Sequence, residues 1–94
     1  MNGERLLQQA LRVFEERRVE YGSPERNLSA VAKRWSLVLG HEVSEQDVAL
    51  CLLELKLARL TFQPAHLDSI VDVAGYAAVL AELIPAPGGY HAGK

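Results

Sequence analysis

The stretch Leu55-Lys56-Leu57-Ala58-Arg59-Leu60-Thr61-Phe62-Gln63-Pro64-Ala65-His66-Leu67-Asp68-Ser69-Ile70-Val71-Asp72 decides the fold of this chain. Apolar residues recur at helical spacing on both sides of Gln63-Pro64, and a proline has no N–H to continue a helix and clashes with the turn before it. The stretch therefore reads as two helices folded back on each other about a short break. Lys56 and Arg59, three apart, share one face of the earlier helix, and Asp68 and Asp72, four apart, share one face of the later helix. Closing the hairpin brings Arg59 level with Asp68 and Lys56 level with Asp72. Two cations and two carboxylates then meet on one surface of an otherwise apolar hairpin, as a structural clasp or as a site for a charged ligand.

Working outward, two further helices are expected and no strand. The first runs from about Gly3 to Val19 on the stripe Leu6, Leu7, Ala10, Leu11, Val13 and Phe14, and Tyr21-Gly22-Ser23-Pro24 ends it. Asn27 is the expected N-cap of the second, which carries Leu28, Val31, Ala32, Trp35, Leu37 and Val38 and stops at Gly40. Ser44 caps the third helix, which runs to about Leu60 or Thr61, with Glu45 and Asp47 favoured by the positive end of its dipole. The fourth spans roughly Ala65 to Ile84 and is rich in small residues (Ala74, Gly75, Ala77, Ala78, Ala81), which suits a central helix. In the third helix Val48, Leu52, Leu55 and Phe62 are expected to face one way, with Leu50, Leu53, Leu57 and Leu60 widening the stripe. A helix apolar on most sides needs more cover than one neighbour supplies.

The expected architecture is all-α: a four-helix up-and-down bundle over residues 1–84 with a tight hairpin of the third and fourth helices, a flexible tail over 85–94, and a homodimer. At 94 residues the chain makes one small domain, and its 49% hydrophobic content is ample for a core. Its net charge of −2 argues against a dedicated nucleic-acid binder. Cys51, the sole cysteine, rules out an internal disulfide and, within Val48-Ala49-Leu50-Cys51-Leu52-Leu53, is expected to be a buried structural thiol. No secretory leader and no apolar run of about 20 residues for a membrane span are present, so the expected location is cytoplasmic.

Two chemistries suit the charged cluster. Lys56 and Arg59 are candidates for contacting phosphate oxygens, with Tyr76, Tyr21 and Asn27 as further ligand contacts. Asp68 and Asp72, with Glu54, are candidates for holding Mg²⁺. Trp35 is assigned to the core, because its spacing matches Val31 and Val38. His41, His66 and His91 lie on separate segments without the spacing of a zinc site.

The set Glu20-Tyr21-Gly22, Asn27, Trp35, Asp47-Val48-Ala49, Leu55-Lys56-Leu57-Ala58-Arg59 and His66-Leu67-Asp68-Ser69-Ile70-Val71-Asp72-Val73-Ala74-Gly75-Tyr76 resembles a family of small phage and prophage proteins of unknown function, over about Arg17 to Glu82. More loosely, Asp72-Val73-Ala74-Gly75-Tyr76 resembles the acidic motif of MazG-like all-α nucleoside triphosphate pyrophosphohydrolases. That resemblance implies Mg²⁺ held by acidic residues on two helices and cleavage between the α- and β-phosphates. The chain departs from that pattern at Cys51 and Leu57, on either side of Glu54, and at Ser69. The functional expectation is a protein that binds a nucleotide or other phosphorylated ligand. The alternative is a non-catalytic module that binds a host protein.

Overall fold

The computed structural model describes residues 1–85. Four helices follow in order: α1 (Gly3–Tyr21), α2 (Pro24–Leu39), α3 (Glu45–Phe62) and α4 (Leu67–Leu83). The chain is an all-α, four-helix up-and-down fold, with no strand among the described residues. The α3–α4 hairpin is its most extensive packing, and α4 touches all three other helices, as its small residues predict. The tail expected beyond Pro85 lies outside the described residues.

Each helix begins on a side chain that accepts an otherwise orphaned backbone N–H. Asn2 Oδ1 accepts from Arg5 at 2.8 Å. Ser44 and Asp47 form a reciprocal capping box at 3.1 Å in both directions. The start of α2 differs from the expected one. Ser23, not Asn27, caps it, and Pro24 is the first helical residue. A proline at that position loses nothing, because its missing N–H would have had no helical partner and its φ is already helical. The preceding α1 ends at Gly22 with φ +83, and α2 ends at Gly40 with φ +77, two backbone conformations that favour glycine.

The compact centre is small and made of short side chains. Leu28, Ala32, Val43, Val48 and Ala49 form one buried cluster, with Val31, Trp35, Leu52, Val79, Leu80 and Leu83 packed against it. Ser36 pins the α2–α3 connection to this cluster. Its Oγ accepts from the Val43 N–H at 2.8 Å and donates to the Ala32 carbonyl at 2.7 Å. Leu37 and Val38, expected on the inner stripe of α2, are exposed.

The outer side of α3 also departs from expectation. Val48 is fully buried and Leu52 half-buried, but Leu55 and Phe62 are exposed. Cys51 is exposed as well, not buried. One cause covers all three: α2 and α4 cover only part of an α3 that is apolar nearly all round. No helix among the described residues is long and apolar enough to cross a membrane.

Removing the two γ-methyls of Val48, 0% exposed, takes away about 0.8 kcal/mol of transfer free energy each and leaves a cavity. Val48→Ala is expected to cost about 2 kcal/mol and lower the melting temperature by roughly 8–16 °C. Val19→Ala, at a position 89% exposed, is expected to leave it nearly unchanged. Thermal denaturation followed by circular dichroism checks both.

Candidate functional site: an ion triad between an apolar pocket and a charged cleft

Helical spacing places Ala10, Val13, Phe14, Arg17 and Tyr21 along one side of α1, and packing against α4 turns that side toward Asp72 and Tyr76. Asp72 thus meets cations from two other helices. Its Oδ2 lies 3.1 Å from Lys56 Nζ on α3, and its Oδ1 lies 3.4 Å from Arg17 Nη2 on α1. The carboxylate side chain is only 14% exposed, whereas Lys56 and Arg17 reach it from solvent. A second pair, Arg18 with Glu82, fastens α1 to the far end of α4, and the Arg18 guanidinium lies 4.8 Å from the centre of the Phe14 ring.

The triad separates two concavities that share Val13, Arg17, Leu52, Val71, Asp72 and Tyr76. On one side is an apolar pocket of about 180 Å³, walled by Phe14, Tyr21, Leu28, Gly75, Tyr76 and Val79, with Asn27 at its edge. A Cβ built on Gly75 would meet no atom within 4 Å, so the pocket is open directly above the α4 backbone. On the other side is a broad cleft of about 1020 Å³ that collects Lys56, Arg59, His66, Asp68 and Ser69. With Arg17 it holds three cations against two carboxylates, a net positive charge on a chain that is negative as a whole.

The expected site residues are thus divided between two adjoining spaces. Tyr21 and Asn27 line the pocket, Lys56, Arg59 and Asp68 line the cleft, and Asp72 and Tyr76 line both. Lys56 is level with Asp72, as the hairpin geometry predicts. Arg59 is not paired with Asp68. Its Nη1 lies 3.5 Å from His66 Nε2 instead, and Asp68 makes no ion pair among the described residues.

Glu54 lines neither space, and no three His, Cys, Asp or Glu side chains gather as a metal-holding group among the described residues. Asp72 already spends both oxygens on cations. This donor set does not fit a resident Mg²⁺.

Two participants escaped the sequence reading. Arg17 stands outside the apolar stripe of α1, and its place four residues before Tyr21, on the same face, is the signal the sequence offers. In the sequence His66 stands out only as a histidine without the spacing of a zinc site. It is the N-cap of α4, accepting from the Ser69 N–H at 3.2 Å, and its position three residues before a serine at a helix start was the available signal.

The chain is 35% identical over 85 residues to the Gene 55 protein of Mycobacterium phage D29, which covers 89% of this chain and 56% of that protein. It is 36% identical over 69 residues to the Gene 55 protein of Mycobacterium phage L5, covering 72% of this chain and 44% of that protein. The chain spans about half the length of these curated relatives. No solved structure matches it significantly. The model of the domain of unknown function DUF6378 matches residues 5–84, which include every residue of the pocket, the triad and nearly all of the cleft, and the chain therefore belongs to the DUF6378 family.

Proposed function

We propose that the chain binds a nucleotide or closely related phosphorylated ligand, with its apolar ring in the Tyr21–Tyr76 pocket and its phosphates in the Lys56–Arg59 cleft. One observation carries this reading: an apolar pocket adjoins a cationic cleft, with the Arg17–Asp72–Lys56 triad at the boundary. A ligand with an apolar head and an anionic tail is complementary to both ends at once. Asp72 holds the two cations in place before the ligand arrives, which lowers the ordering cost of binding. Gly75 supports the same reading. A glycine inside a helix costs about 0.5–1 kcal/mol relative to alanine, and here no neighbouring atom demands it. Its missing side chain leaves room for a ring.

Binding, and not turnover, is the proposed activity. The loose resemblance to MazG-like pyrophosphohydrolases rests on Asp72-Val73-Ala74-Gly75-Tyr76, but Asp72 is neutralised by two cations. A nucleotide entering as its magnesium complex would bring its own metal. The similarity to phage proteins supports an action inside an infected bacterium as part of this proposal.

A second observation favours a homodimer over a host-protein partner. Cys51, Leu55, Ala58 and Phe62 are all exposed and follow one another at intervals of four, three and four residues, the spacing of a helix–helix seam. Such a seam is self-complementary, so a second copy of α3 is a fitting cover.

In a thermal-shift screen, nucleoside triphosphates are expected to raise the melting temperature of the wild type. Lys56→Ala, which leaves Asp72 paired with Arg17, is expected to weaken that binding about tenfold. Gly75→Leu fills the pocket and is expected to abolish the shift while the unliganded protein melts no lower. A shift that survives both variants would refute the site.

Light scattering is expected to give about twice the 10.4 kDa chain mass for the wild type, and a monomer for Phe62→Glu, changed at a position 85% exposed. A wild-type monomer would refute the seam.

A further inference from the structure

We infer that Arg59 and His66 form a separate subsite for the terminal phosphoryl group of the ligand, an inference that rests on the nucleotide reading above. The hydrogen bonds of the imidazole carry it. His66 Nδ1 lies 3.2 Å from the backbone nitrogen of Ser69, a group that only donates, so Nδ1 is the acceptor and bears no hydrogen. The Ser69 hydroxyl, 2.8 Å from the same nitrogen and on a residue only 3% exposed, points its hydrogen there too. In the neutral ring the hydrogen then sits on Nε2.

The neighbour of Nε2 is Arg59 Nη1 at 3.5 Å, and a guanidinium cannot accept. The two groups are therefore not hydrogen-bonded to each other. Their N–H groups face each other on the cleft wall with no acceptor between them, a contact that an anion oxygen accepting from both would relieve. Ser69 fixes the ring so that Nε2–H keeps this direction.

The position along the cleft makes the subsite terminal. His66 precedes Tyr76 by ten residues on α4, roughly 15 Å along the axis, with Asp72 and Lys56 between them. Arg59 lies one turn beyond Lys56 in the same direction. A ligand with its ring at Tyr76 passes its first phosphate at Lys56 and reaches Arg59 and His66 only with a longer phosphate chain. Asp68, on the same wall, repels a bare anion that is not anchored at Lys56.

Isothermal titration of nucleoside mono- and triphosphate at constant ionic strength tests this. The wild type is expected to prefer the triphosphate by about tenfold or more. Arg59→Gln removes one donor. His66→Asn removes the imidazole donor without adding a charge and keeps an N-cap acceptor for the Ser69 N–H. Each is expected to weaken triphosphate binding about tenfold and to narrow the preference for the triphosphate over the monophosphate. A purely structural role for His66 would lower the melting temperature and affect both ligands equally. Triphosphate selectivity that survives both variants overturns the subsite while the nucleotide site stands. An absence of binding by either nucleotide to the wild type overturns both.

Discussion

The Asp72 carboxylate, nearly withdrawn from water and met by Arg17 and Lys56 on separate oxygens, is the interaction on which the arrangement of helices around the site depends. It joins α1, α3 and α4 at one point. A half-buried charge left alone would be costly, so each cation offsets a desolvation that α4 packing imposes. The two cations in turn reach Asp72 from exposed positions, where a single ion pair contributes only ~0–1 kcal/mol. The triad is therefore better understood as a device for orientation than as a major source of stability. It directs α1 onto α4 in the register that brings Tyr21 to Tyr76, and that register creates the apolar pocket.

Much of this was legible in the sequence, for identifiable reasons. Pro64 and the flanking apolar periods define the hairpin, and hairpin geometry alone puts Lys56 opposite Asp72. Ser44 and Asp47 announce the start of α3 by their spacing. The partner of Arg59 was not legible, because it depends on how the Gln63–His66 turn closes. His66 is drawn into capping α4, which places its ring, not Asp68, beside the guanidinium. Arg17 was hidden for a different reason. Periodicity describes the face of α1 but not which neighbour that face meets. The early start of α2 shows that a proline has two readings, as terminator of one helix and first residue of the next, and Ser23 decides between them.

The thin centre and the exposed side of α3 follow from one cause. A chain this short, with small residues lining α4, brings helix axes close but leaves little side-chain volume to bury. Val48 is the largest fully buried side chain, while Leu55, Leu57 and Phe62 remain in contact with water. The DUF6378 match covers the hairpin, the triad, the pocket and nearly all of the cleft. The phage relatives are about 1.6 times as long as this chain.

The central claim is that the apolar pocket and the cationic cleft bind one ligand together across Asp72. Titration calorimetry with a nucleoside triphosphate, its nucleoside and inorganic tripolyphosphate, all at the same ionic strength, tests it most directly. The account predicts that the intact nucleotide binds at least about tenfold more tightly than either half, because only it spans both spaces. Tripolyphosphate binding as tightly as the nucleotide, or no binding by any of the three, would contradict it.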